Sequence, residues 1–361
     1  MIRHETSDTP YQHWSLTIEP PIATLTRAAP GEVGPHGSDG PDVELSDAVQ
    51  RVRFEHPEVA ALVITGVSGG EPTDLRRTPA NGPATNCGLQ ILVDRAASPE
   101  SSAETRERAL AAAGHAGRGP EAEAVRLSPL WPEEFEGGFA YPNVRVEVDE
   151  RAGVATLTIV GPPNNECFAP DPGPRRLRSR WWPLAVCREL DDALLLLGNH
   201  PRAGRLVVRT EGDPLAVASA DVALTSGYGL DWFVTEVVLY WRRMLERLDE
   251  AGRSLAAFLE PGSCFVGTLL EVALAAGRVS LVGCAEIGAV DDGAADILLT
   301  GMNFGPLPMA SGLTRLESRV PGGQEQLGCL AQRVGDPISA AEAVDLGVFG
   351  RQAWGTSGTS R

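Results

Sequence analysis

The stretch of this sequence best suited to chemistry runs from Ser254 to Ala275, SLAAFLEPGSCFVGTLLEVALA. An apolar strand leads into a turn of small residues around Ser263, Cys264 and Gly267. An alanine- and leucine-rich helix follows. Small residues let a backbone come close to a ligand. The N–H groups at a helix start have no intrahelical partner and carry partial positive charge. Aimed at a substrate carbonyl, they would stabilise an oxyanion. The plainer reading of the same residues is an ordinary buried strand–turn–helix, and the bulk of Leu269 and Leu270 beside Gly267 speaks for it.

Other chemistries are closed off by residue type. All 31 basic residues are arginine, so Schiff-base or other lysine catalysis is excluded. Cys87, Cys167, Cys187, Cys264, Cys284 and Cys329 are too widely spaced for a CxxC metal or redox motif. The histidines are scattered with no HExxH pattern, so no metal is expected.

The elements that would position the turn occur twice. Trp14 to Glu19 leads to Ile22–Thr26, and Val144 to Val148 leads to Val154–Thr158; each alternates apolar and polar residues around a short turn, which predicts a β-hairpin. A helix follows in each copy, with Glu44-Leu45-Ser46-Asp47-Ala48 matching Glu189-Leu190-Asp191-Asp192-Ala193 and a stop at His56-Pro57 or His200-Pro201. Then comes a buried-strand run, Ala61 to Thr65 or Leu206 to Thr210. The helix pair Glu44/Glu189 and the strand pair Thr65/Thr210 are both 145 positions apart. A shared offset across successive elements marks a duplication, and the element order predicts an α/β sheet layered with helices. A further helix is expected from Glu104 to Ala113. Gly-, Pro- and Ser-rich stretches at 29–41, 66–88 and 161–174 read as loops, and 355–361 as a frayed tail.

Composition bounds the setting. The chain has 361 residues, 43% hydrophobic and 22% charged, enough for about two domains. A formal net charge of −17 disfavours nucleic acid and anionic membrane as partners. No apolar run reaches the roughly 18 residues of a membrane span, and the first residues lack a signal-peptide core. The expectation is a soluble, reduced, cytoplasmic protein.

The strand–turn–helix at 254–275 resembles that of the crotonase (enoyl-CoA hydratase/isomerase) superfamily. So does Leu298 to Leu316, which is similar to the superfamily's Pro-Glu-x-x-x-Gly…Pro…Gly…Arg-Leu segment, and Ile338 to Val348, which is similar to its late helix. Several blocks look more specifically like the benzoyl-CoA-dihydrodiol lyase family: Trp14 to Thr26, Arg51 to Val59, Trp181 to Ala185 with Arg188 to Asp192, Arg209 to Asp213, Glu260 to Phe265, and Met302 to Gly305.

The resemblance implies a ClpP/crotonase-like α/β fold of two repeats, a truncated first repeat at residues 1–125 and a fuller second at 126–361. It implies a CoA-thioester substrate, no metal or redox cofactor, and a homo-oligomer. An acidic surface does not exclude CoA, which needs only a few well-placed basic groups. The implied reaction is lyase chemistry in aerobic benzoate degradation: hydrolytic opening of epoxidised benzoyl-CoA, with release of formate. Generic enoyl-CoA hydratase or isomerase activity, and a non-catalytic remnant or interaction subunit, stay open as alternatives.

In the family the acid/base glutamates and glycine-rich turn belong to the first repeat. Here Thr65 runs through Gly66–Gly70 almost directly to Leu89–Arg95, and about a hundred residues of a typical domain are missing. No catalytic glutamate carries over. Glu271 matches the helix glutamate of the second repeat, as a catalytic candidate or a structural hydrogen-bonder, and one carboxylate does not make an acid/base pair. Ser263, Cys264, Gly267, Asn303 and Gly305 are the candidates for an oxyanion or CoA-ester pocket. Asn303 stands about where an acid/base glutamate is common, and a neutral amide cannot act as a general base. Arg242, Arg243 and Arg247, and Arg175, Arg176, Arg178 and Arg180, could meet phosphates or simply be solvated. Trp232, Phe233, Tyr240 and Trp241 have the spacing of core or a subunit contact rather than of a ligand box.

Overall fold

The computed structural model describes residues 11–28, 40–66, 89–94, 99–113, 123–163, 178–198, 200, 203–250, 254–281 and 296–350. The expected tail at 355–361, Arg175, Arg176, and the cysteines 87, 167 and 284 lie outside the described residues, as does most of each of the three expected loops. The chain divides into two compact units. One comprises 1–129 with 173–179 and 231–236, the other 130–172, 180–230 and 237–361.

In the first unit, β1 (Trp14–Glu19) and β2 (Ile22–Arg27) form an antiparallel hairpin. Strand β2 pairs in parallel with β3 (Ala61–Thr65), and β3 in parallel with β4 (Gln90–Asp94). The helix α1 (Pro41–Glu55) starts on a proline, whose missing N–H is no loss at a first turn. Its Asp42 and Glu44 face the positive end of the helix dipole. Alternation along β3 serves two cores. Leu62 and Ile64 pack with Leu45, Ala48 and Val52 of α1. Ala61 and Val63 pack with Ile22 and with Ala109 of α2 (Pro99–Ala113). A strand covered on both faces is apolar throughout, which is why Ala61 to Ile64 shows no polar alternation.

The second unit holds a seven-stranded sheet in the order β11-β10-β9-β8-β7-β6-β5. Short β5 (Glu133–Phe135) and β6 (Gly138–Ala140) lead antiparallel into β7 (Val144–Asp149) and β8 (Val154–Val160). Strands β8, β9 (Arg205–Glu211), β10 (Ser254–Leu259) and β11 (Arg278–Leu281) are mutually parallel. The helices are α3 (Trp182–Gly198), α4 (Pro214–Gly227), α5 (Trp232–Glu250, which begins in the first unit), α6 (Gly267–Ala275), α7 (Arg315–Arg319), α8 (Gly323–Ala331) and α9 (Ala340–Asp345). A ribbon of β12 (Asp296–Leu298) and β13 (Pro337–Ser339) completes it.

The duplication is visible in side chains as well as in strand order. Glu44 on α1 accepts the backbone N–H groups of Gln12 and His13 at 3.0 and 2.7 Å, while Asp47, one turn on, accepts the Tyr11 hydroxyl at 2.7 Å. On α3, Glu189 accepts the backbone and amide N–H groups of Asn143 at 2.7 and 2.9 Å, and Asp192 accepts the Tyr141 hydroxyl. Each helix thus clamps the entry of its own hairpin with the same two carboxylates. This is the two-repeat α/β organisation expected from the sequence, and the first copy is the shorter. The second copy passes from β9 through α4 and α5 to β10 and then to the turn and α6. The first passes from β3 through residues 66–89 to β4 and α2, with no counterpart of the turn and α6 among the described residues.

Candidate functional site

The turn after β10 is held by its own backbone. The Ser263 N–H donates to Glu260 O at 2.9 Å, and the Ser263 hydroxyl accepts the Glu260 N–H at 3.1 Å. Cys264 N–H donates to Thr210 Oγ1 at 2.9 Å, tying the turn to β9. Residues from Ser263 to Leu270 are all buried. Burial pushes the Cys264 thiol up to about 11, so it stays protonated and is no nucleophile at neutral pH.

Gly267 opens α6 with φ +45°. A Cβ placed on it would lie 1.7 Å from Asp221 Oδ2 and 2.2 Å from Thr300 Oγ1, so only glycine fits. The crowding comes from a carboxylate seated at the helix start. Asp221, on α4 and fully buried, accepts the Thr268 N–H at 2.8 Å, the Thr268 hydroxyl at 2.6 Å and the Thr300 hydroxyl at 2.8 Å. The N–H groups of Leu269 and Leu270 turn back to Val266 O.

A second carboxylate sits one turn along α6. Glu271 is 0% exposed. It accepts from Asn303 Nδ2 at 2.7 Å and from Arg315 Nη1 at 3.2 Å. Arg315 also reaches Asp249 at 2.6 Å. Asn303 donates to Gly267 O at 2.9 Å and accepts the Thr300 N–H at 3.0 Å. One polar chain therefore runs Asp221, Thr300, Asn303, Glu271, Arg315, Asp249, buried as far as Arg315 and ending at exposed Asp249. Nearby on α7, Arg319 donates to Ala276 O at 2.9 Å and to Leu274 O, the free carbonyl end of α6. Burial pushes the Glu271 carboxyl up to about 7, against the opposing pull of the Arg315 guanidinium and the Asn303 amide.

The structure brings Gly267, Asn303 and Glu271 together and places Ser263 and Cys264 in the preceding turn. Gly305 lies apart, exposed at the end of the 3-10 turn Gly301–Phe304. The groups that complete the network, Asp221, Thr268, Thr300, Asp249 and Arg315, were not singled out from the sequence. One signal was available: Asp221 is the single charge in the fourteen residues of α4, PLAVASADVALTSG. The arginines of α5 turn to carboxylates of the chain, Arg242 to Glu246 at 3.2 Å and Arg247 to Asp191 at 2.7 Å. Of the α5 aromatics, Phe233, Tyr240 and Trp241 are buried and Trp232 is half-buried, and the Trp241 indole donates to Pro183 O at 2.8 Å. Among the described residues, no group of three or more His, Cys, Asp or Glu could hold a metal ion, and no helix is long and apolar enough to cross a membrane.

Burial raises the Asp221 carboxyl to about 6, with its three hydrogen bonds pulling it down. A carboxyl raised on folding adds stability at a pH below its unfolded value, and that contribution is lost as pH climbs through its folded value. A shift of this size amounts to about 3 kcal/mol in all. The stability difference between the parent and Asp221→Asn is therefore expected to move against the parent as pH rises from about 4 to about 7. Urea titrations of both proteins across that range read it, and a pH-independent difference would refute it.

Comparison with known proteins gives a strong relative. The chain is 35% identical over 302 residues to a benzoyl-CoA-dihydrodiol lyase of Aromatoleum evansii, covering 83% of this chain and 50% of that protein. The chain thus spans about half the length of this curated relative. No family model matches the chain. Among solved structures, an enoyl-CoA hydratase of Bacillus halodurans aligns at 14% identity and TM-score 0.38, over 57% of this chain and 71% of the other. One from Bacillus anthracis aligns at 18% and 0.34, over 57% and 68%. The strand order described above, not these distant likenesses, establishes the architecture.

Proposed function

We propose that this chain, a homologue of benzoyl-CoA-dihydrodiol lyase over 302 residues, acts on a CoA thioester in lyase chemistry. The finer reading is ring opening of an epoxidised benzoyl-CoA with release of formate. The observation that carries it is the extent of the homology, which takes in 83% of the chain. The reading needs no metal or redox cofactor, and it goes with a cytoplasmic homo-oligomer.

Geometry limits where the chemistry can sit. A general base must reach the proton it removes. Glu271 is sealed behind Arg315 and Asn303, and the Thr268 N–H is already committed to Asp221. The turn of the second repeat is thus a scaffold, and the acid and base lie elsewhere in the chain. The same closure favours a second reading, a lyase relative without turnover of its own.

Formate release by the purified chain given epoxidised benzoyl-CoA separates the two. Formate above background is expected, and it should persist in Glu271→Gln, which removes no group that touches substrate. No formate from folded chain sinks the lyase reading and leaves the non-catalytic relative.

A further inference from the structure

We propose that the outer face of α4 is a self-association surface, on which a second copy of this chain docks with its own α4 antiparallel to the first. Leu215 is 66% exposed, Val222 63% and Leu230, just past the helix, 88%. The other large apolar side chains exposed among the described residues, such as Leu110, Trp131 and Leu313, stand singly and need no explanation. Leu215, Ala218, Ser219 and Val222 follow the spacing of one helical stripe. The core takes a different stripe of the same helix: Ala216, Val217, Ala220, Asp221 and Leu224. A helix that is apolar on both sides is normally covered on both.

Charge and symmetry select a second copy as the cover. The chain carries a formal net charge of −17, so two copies repel wherever their acidic surfaces meet. The outer face of α4 offers a meeting place without charge: its exposed residues are Leu215, Ser219, Val222, Thr225 and Ser226, and the one acid of the helix, Asp221, points inward. The stripe also matches itself. A two-fold contact sets each residue against its counterpart reflected through the axis. With the axis between Ala218 and Ser219, Leu215 meets the partner's Val222, and Ala218 meets the partner's Ser219. Large side chains then pack at both ends, and small ones at the centre let the two helices approach closely.

Covering this face strands few polar groups. The Ser219 hydroxyl donates to Leu215 O and the Thr225 hydroxyl to Asp221 O, both at 2.8 Å. Both are satisfied within the helix, so losing water costs them little. A single helix pair buries less than the roughly 800 Å² per partner of a standard interface. The dimer is accordingly one that forms and dissociates with concentration.

Sedimentation velocity of the full chain across the micromolar range tests this. The parent is expected to pass from monomer to dimer. Leu215→Glu and Val222→Arg each set a charge against an apolar side chain of the partner, which should raise the dimer Kd about a hundredfold or more. Both positions are exposed, so Tm measured at a concentration where the parent is monomeric should match the parent's. An equimolar mixture of the two variants sets glutamate against arginine across the axis and should restore the dimer as a heterodimer. The double variant carries that pair twice and should dimerise by itself. A parent that stays monomeric overturns the proposal and leaves the face to a different partner. Single variants that still dimerise place the contact elsewhere and overturn it, as do monomeric single variants whose mixture stays monomeric. The readout is mass and not turnover, so this proposal and the lyase reading stand or fall separately.

Discussion

Replacing Arg315 by methionine is expected to destabilise the chain by about 3–5 kcal/mol, the usual cost of breaking a buried ion pair from one side. Arg315 is 2% exposed and stands between Glu271 on α6 and Asp249 on α5. Methionine fills part of the volume but leaves Glu271 with the Asn303 amide as its remaining side-chain donor. A loss of this size is a large share of the 5–15 kcal/mol by which domains are usually stable.

The pH dependence identifies the cause. Glu271 already sits up at about 7 because it is buried, and Arg315 is the largest influence holding it down. Without Arg315 its folded value rises further. The stability lost as pH climbs through that value then grows, so the deficit of Arg315→Met should widen from pH 5.5 to pH 8. Adding Glu271→Gln removes the titrating group, and the widening should vanish in the double variant. Chemical denaturation of the four proteins at both pH values tests this. A deficit that stays constant with pH would place the cost in lost packing instead.

What the sequence makes legible here is set by local patterning. The hairpins, α1 and α3, and strands β3 and β9 follow from alternation, proline stops and a constant spacing, all of which act over a few residues. The clamp residues Glu44 and Glu189 lie in the stretch that revealed the duplication, because the same job at the same helix position preserves the same residue type. The strand–turn–helix at Ser254 to Ala275 was equally plain, but its chemistry was not. Whether a helix start is open to a ligand depends on what sits opposite, and here that is Asp221, 47 positions away from Thr268 in sequence. Likewise the fate of Glu271 is decided by Arg315, 44 positions on, and by Asn303, 32 positions on. Spacing along the chain carries no record of such meetings. A lone charge in an otherwise uncharged helix was the one local trace, since an unpaired acid in an apolar helix must find donors when it is buried.

Gly267→Ala is the more severe test of the same network. Two penalties fall on one methyl group. A φ of +45° disfavours any residue with a Cβ, at about 1 kcal/mol. The larger penalty is steric, because the methyl would sit 1.7 Å from Asp221 Oδ2, 2.2 Å from Thr300 Oγ1 and 2.8 Å from Thr300 Cγ2. Neither neighbour can simply swing aside. Moving Asp221 breaks its bonds to Thr268 and Thr300 and strands a buried carboxylate, and moving Thr300 breaks its cap on the 3-10 turn that carries Asn303. The expected outcome is loss of cooperative unfolding, or at least 4 kcal/mol of stability, beyond the ordinary range for one substitution. Pairing it with Asp221→Gly gives the discriminating measurement. Removing the carboxylate that the methyl strikes should make the double variant more stable than Gly267→Ala alone, a large favourable coupling between residues in contact. Independent, additive losses in the two variants would mean that the strain at Gly267 lies in its backbone angle and not in the seat that Asp221 fills.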